Sequence, residues 1–179
     1  MLKGTRSDIK VLAIAATVAV VACAGGIVLN SYLVLHLHRQ LFTKEYGLTL
    51  TTYDGKAVRL ADFRTQTIVA YAWASWCPYC GAEIENLAKL KKTYGDKIQI
   101  IAVNRAEPVL VAKAYTDQLS SVSGVVFLTD PKDTFFKMID GYAMPETVFI
   151  KPGGDIEFHQ RGPMQFNEVS KELQQLIGQ

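Results

Sequence analysis

Thr67-Ile-Val-Ala-Tyr-Ala-Trp-Ala-Ser-Trp-Cys-Pro-Tyr-Cys80 carries the decision about fold and chemistry in this chain. Its first nine residues are mostly apolar and end in small ones, so they read as a strand. Cys77 and Cys80 then stand at a strand-to-helix junction, three positions apart, where two thiols can close a reversible disulfide. The first sulfur meets a helix N-terminus, whose unpaired N–H groups and positive dipole end stabilise a thiolate. Cys77 is therefore expected to be reactive, and Cys80, one turn inside the helix, to be the less exposed sulfur.

Working outward, Pro78 suits the first helical position, because its missing N–H would have no partner there. Ile84, Leu87, Ala88, Lys91 and Tyr94 recur at three and four, which predicts a helix with one buried face stopping near Gly95. Upstream, Leu48 to Tyr53 and Lys56 to Leu60 flank Asp54-Gly55, the favoured pair for a hairpin turn. Downstream, strands are expected at Ile98–Val103, Val125–Leu128, Thr147–Ile150 and Ile156–Gln160, the last two joined by Pro152-Gly153-Gly154-Asp155. Helices are expected at Pro108–Leu119, Thr134–Ile139 and Phe166–Ile177. This alternation, with its terminal hairpin, argues for a mixed α/β sheet covered by helices on both faces, the thioredoxin-like architecture.

The chain has 179 residues, enough for one domain with a real core once its N-terminal segment is set aside. A formal charge of +2 with no basic run gives no indication of nucleic acid. Of three cysteines two form the motif, so a framework of structural disulfides is not available. From Val11 to Leu29 no side chain is charged, and a helix there would reach about 28 Å, close to the hydrocarbon thickness of a bilayer. Lys3, Arg6 and Lys10 precede it, which by the positive-inside rule favours a cytoplasmic N-terminus. The expected division is a cytoplasmic N-terminus at 1–10, a transmembrane signal-anchor at 11–35, a tether at 36–47 and the folded domain at 48–179. Ala22-Cys23-Ala24 also resembles a cleavage site, and Val20-Val21-Ala22-Cys23 a loose lipobox with Cys23 lipidated. Apolar residues continue through Leu29 and resume at Tyr32 to Leu35, which favours the uncleaved anchor, and all three readings export the domain.

These residues resemble the membrane-anchored, thioredoxin-like thiol:disulfide oxidoreductases of the TlpA, ResA and CcmG (DsbE) type, over roughly Leu48 to Ile177. The resemblance rests on Asp54-Gly55-Lys56 with Leu60, on Trp73 to Cys80, on Val103-Asn104 and on Met144-Pro145-Glu146-Thr147. The helix and strand between Pro108 and Leu128 resemble the central insertion of that family. Pro-Glu-Thr is especially similar to its cytochrome c maturation branch. Two positions depart: Glu85 stands where the family carries a helix-kinking proline, and Tyr71 where thioredoxins have a buried carboxylate and this branch an Asn.

The resemblance implies a reductant located outside the cytoplasm, with apocytochrome c as a protein substrate and a membrane electron donor of the DsbD/CcdA type. The electron carrier is the Cys77–Cys80 disulfide itself, without a further cofactor. Cys77 attacks a substrate disulfide and Cys80 resolves the mixed disulfide. Glu83 and Glu146 map onto acidic positions beside the sulfurs, for tuning and proton transfer; as plain helix-dipole and strand-end acids they would do neither. Pro145 is expected in cis beside the disulfide, with Met144 pairing to a substrate strand, and Trp76, Pro78 and Tyr79 form a docking rim. His36, His38 and His159 are too scattered for a metal site. The alternatives are a general periplasmic disulfide reductase, isomerase or oxidase, glutaredoxin-like chemistry, and, in a different class, a copper-binding delivery module using the two thiols.

Overall fold

The computed structural model describes residues 48–178; the expected N-terminus at 1–10, anchor at 11–35, tether at 36–47 and Cys23 lie outside them. Among the described residues no helix is long and apolar enough to cross a membrane. Along the chain run β1 (Thr49–Thr51), β2 (Ala57–Arg59), β3 (Thr67–Trp73), α1 (Cys80–Tyr94), β4 (Ile98–Arg105), α2 (Val109–Thr116), β5 (Val125–Asp130), α3 (Thr134–Met138), β6 (Glu146–Ile150), β7 (Ile156–Arg161) and α4 (Phe166–Ile177). The strands form one sheet in the order β2-β1-β5-β4-β3-β6-β7. β3, β4 and β5 are parallel, while β1 and β6 pair antiparallel against this block.

Every residue of β3 is buried, and alternation along it builds two cores. Val69, Tyr71 and Trp73 face the disulfide, Ile84, Leu87 and Leu90 of α1, and Val169 and Leu173 of α4. Ile68, Ala70 and Ala72 face the other way, toward Phe135 and Phe136 of α3. The sheet is thus covered on both faces, as the sequence pattern implies.

Several boundaries differ from expectation for identifiable reasons. The helix begins at Cys80 rather than Pro78: Cys80 N–H donates to the Cys77 carbonyl at 3.3 Å, closing a tight turn that holds Pro78 ahead of the helix. β4 runs on to Arg105, which pairs in register with Asp130 of β5, and its guanidinium bonds Asp133 at 2.9 and 2.6 Å and lies 3.5 Å over the Phe136 ring. The first hairpin has a wider turn than Asp54-Gly55 alone. Its last strand pair is Thr51 with Ala57, and Thr52 closes the loop by backbone and hydroxyl bonds to Lys56. α2 stops at Thr116, after which Gln118 and Leu119 tighten to bonds three residues back.

The central insertion is clamped onto the catalytic strand and helix. Trp73 lies 5.5 Å from the Tyr115 ring and 6.3 Å from Phe127, and Tyr53 stacks on Phe127 at 5.9 Å. A Cβ at Gly81 would sit 2.8 Å from the Tyr115 hydroxyl, so a glycine directly after Cys80 lets α2 approach α1.

Candidate active site

Cys77 and Cys80 form a disulfide with Cα atoms 5.5 Å apart, within the usual range for such bridges. Both residues are buried, Cys77 at 1% exposure and Cys80 at 0%, so the expected difference between the sulfurs is slight in the oxidised form. The turn that carries them is not buried: Trp76 is 63% and Tyr79 57% exposed, and Pro78 is exposed between them. Trp76, Pro78 and Tyr79 therefore form a rim around a recessed disulfide.

Behind this rim stands a carboxylate that sequence reasoning missed. Glu107 accepts from Ser75 N–H at 2.8 Å, from Ser75 Oγ at 2.5 Å and from Asn104 Nδ2 at 2.7 Å. It ties the end of β4 to the residue two before Cys77. Its only signal in the sequence is an acid three residues after Asn104, in the loop leading to Pro108.

Glu83 is one turn beyond Cys80 on α1, and its side chain turns toward the sheet. Its Oε1 accepts from Met164 N–H at 3.2 Å. Burial pushes the carboxyl above the usual carboxylate range, against the Met164 N–H and Tyr71 hydroxyl donors, which lower it. Tyr71 lies across from it, fully buried on β3, and burial and the Glu83 charge push its phenol upward. Glu85, in place of the expected proline, leaves α1 helical throughout Cys80–Tyr94. Its carboxylate instead accepts from Ser120 N–H and Oγ at 2.7 and 2.8 Å, bonds that lower its pKa and fasten α1 to the segment after α2.

Glu146 is placed differently from its expected position beside the sulfurs. Its register partner is Ala72, so alternation directs it to the sheet face opposite Tyr71, Trp73 and the disulfide. It is fully buried rather than a solvated strand end. Its Oε1 accepts from Tyr142 N–H and Ala143 N–H, each at 2.7 Å, and its Oε2 lies 2.7 Å from His159 Nε2. Glu146 thus shapes the segment leading into Met144-Pro145, whose peptide bond is cis. Among the described residues no cluster of three His, Cys, Asp or Glu is placed to hold a metal ion.

With this geometry in hand, the chain can be set beside known proteins. The family model described as Redoxin matches residues 27–176. The thiol-disulfide oxidoreductase ResA of Oceanobacillus iheyensis is 29% identical over 130 residues, covering 70% of this chain and 65% of that protein. The ResA of Halalkalibacterium halodurans is 26% identical, covering 73% of each. The thiol:disulfide interchange protein DsbE of Allochromatium vinosum is 27% identical, covering 63% of this chain and 60% of its own. Among solved structures, a secreted disulfide oxidoreductase of Mycobacterium tuberculosis homologous to DsbE superposes with a TM-score of 0.65 at 19% identity, covering 74% of this chain and 98% of that one. The matched segment contains the whole β3–Cys77–Cys80–α1 unit, so the resemblance read from Trp73 to Cys80 and the measured similarity fall on the same residues. The chain belongs to the Redoxin family, and within it is similar to the thiol-disulfide oxidoreductases named ResA and DsbE.

Proposed function

We propose that this protein is a reductant working outside the cytoplasm, held to the membrane by residues 11–35, that keeps the cysteines of apocytochrome c reduced for haem attachment. The observation that carries the reading is the Cys77–Cys80 disulfide at a strand-to-helix junction with the carboxylate of Glu83 one turn away. In the reduced form Cys77 thiolate attacks a substrate disulfide, one substrate sulfur leaves as thiolate, and a mixed disulfide forms. Cys80 thiolate then attacks Cys77 Sγ, the bond to substrate breaks, and the Cys77–Cys80 bond closes. Two electrons pass to the substrate, and a dithiol donor of the DsbD/CcdA type returns them.

Glu83 sets the direction. A carboxylate near the sulfurs disfavours a thiolate and hence the reduced, thiolate-bearing form, which makes the couple more reducing. Trp76, Pro78 and Tyr79 offer apolar contact to the substrate, and Met144 and Pro145, on the segment held by Glu146, lie beside it. For apocytochrome c as substrate, the reduced protein is expected to reduce an oxidised peptide carrying Cys-x-x-Cys-His about tenfold faster than a disulfide peptide of unrelated sequence, corresponding to about 1.4 kcal/mol of preference. Equal rates would favour a general reductase of the same compartment.

A further inference from the structure

The segment that brings Met144 and Pro145 to the disulfide is fastened from the opposite face of the sheet. Met144 packs against the core that holds Cys77 and Cys80. The chain reaches it from α3 through Asp140, whose φ of 52° lies in the left-handed region, a backbone that a residue with a Cβ adopts only when its surroundings hold it there. The contacts that hold it converge on Glu146. Its carboxylate is fully buried, which is tolerated only where its oxygens are bonded. Oε1 takes the N–H groups of Tyr142 and Ala143, each at 2.7 Å, and Oε2 meets His159 Nε2 at 2.7 Å. With Glu146 ionised, Nε2 is the donor, in the neutral ring as in the cationic one. A carboxyl group turns easily about its last torsion, so the grip of Oε1 on two amides is kept only while the second oxygen is tied as well. His159, on the edge strand β7 and largely buried itself, is that tie. Arg161, the register partner of Glu146, covers the same segment: its Nη2 donates to the Asp140 carbonyl at 3.5 Å and its guanidinium lies 5.1 Å over the Tyr142 ring.

A buried carboxylate adds little net stability over an apolar side chain of similar size. What it supplies here is direction, two amides held by one oxygen. Because Glu146 pairs with Ala72, this clasp sits on the sheet face away from the sulfurs, and it acts on the place of the Met144 backbone rather than on the ionisation of the thiols. We infer that His159 is a positioning residue for the exchange reaction: by locking the Glu146 carboxylate against the Tyr142 and Ala143 amides, it holds the Met144 backbone where a substrate peptide pairs with it. The inference rests on the reading of Met144 as the substrate-pairing position, and it applies to any peptide disulfide, whichever protein supplies it.

The test is steady-state reduction of two oxidised peptides, one carrying Cys-x-x-Cys-His and one of unrelated sequence, by the full-length chain recycled with a dithiol. In His159→Leu the KM for both peptides should rise about tenfold, the scale of one hydrogen bond to a charged group, while kcat and the Cys77/Cys80 potential stay those of the parent. In His159→Gln, whose Nε2 donates from nearly the same place, KM should return to within about twofold of the parent. An unchanged KM in His159→Leu overturns the role of His159, and so does equal impairment in His159→Leu and His159→Gln. A shifted potential with KM unchanged overturns it too, because the pair would then be tuning the sulfurs. Equal KM values for the two peptides in the parent defeat apocytochrome c as the substrate and leave the clasp standing, since the effect of His159→Leu is read on either peptide. Independently of any variant, nitrogen NMR of the parent should show His159 Nε2 carrying a hydrogen-bonded proton; a ring protonated on Nδ1 alone overturns the proposal.

Discussion

Cys80→Ala loses multiple-turnover reductase activity by about three orders of magnitude or more, the scale on which removing one member of a catalytic unit acts, and it accumulates as covalent adducts with its substrates. The reason lies in the division of labour between the sulfurs. Cys77 stands ahead of the helix behind the exposed turn of Trp76, Pro78 and Tyr79, and Cys80 is the first helical residue, fully buried against the sheet. On the proposed mechanism a substrate reaches the first sulfur and the second releases it. Alanine at Cys80 preserves the fold of the turn and leaves the mixed disulfide with no resolving thiol. Non-reducing gels of the variant should show adducts that disappear with added dithiol, and Cys77→Ser should show none. A Cys80→Ala protein that forms no adducts, or that still turns over, contradicts the assignment. A copper-delivery role would show itself differently, as loss of metal affinity in Cys77→Ser with no reductase activity in the parent.

Trp73→Ala is the substitution expected to damage stability most, by about 3–5 kcal/mol, the range for a large buried aromatic cut to alanine. Trp73 is completely buried at the end of β3, four residues before Cys77, and it joins the Tyr115 ring of α2 and Phe127 of β5 in one cluster. Its removal opens a cavity where the insertion meets the catalytic strand. For a domain of this size the loss corresponds to roughly 10–20 °C in melting temperature. Tyr79→Ala, at a site 57% exposed, should change stability by no more than about 0.5 kcal/mol. Denaturant unfolding of the two variants separates them. A Trp73→Ala midpoint close to that of the parent would mean that the insertion is not held as the rings indicate.

Much of this arrangement was legible in the residues themselves. The apolar run at β3, the Cys77/Cys80 spacing and the three-four pattern of α1 are local signals, and they placed the disulfide at the sheet's carboxyl edge. The helix Phe166–Ile177 was bounded to the residue by its amphipathic pattern. What could not be read locally was register. Glu146 sits one position after Pro145, and whether it faces the sulfurs depends on its pairing with Ala72, which no short stretch of sequence specifies. Glu107 and Glu85 act on residues 32 and 35 positions away, Ser75 and Ser120, so neither has a periodic signature. The two departures from the family pattern gain different explanations. Glu85 exchanges a helix kink for a tie to the insertion, and Tyr71 faces the carboxyl of Glu83 on the active-site helix.

The central claim is that this disulfide gives electrons rather than takes them, and the reduction potential of the Cys77/Cys80 couple tests it most directly. Equilibration of the full-length chain with a thiol–disulfide buffer at neutral pH should give a value between about −200 and −270 mV, the region of glutaredoxins and thioredoxin. A value near the −120 mV or so of DsbA would contradict the account, because the carboxylate of Glu83 would then not be biasing the pair toward reduction of its partners.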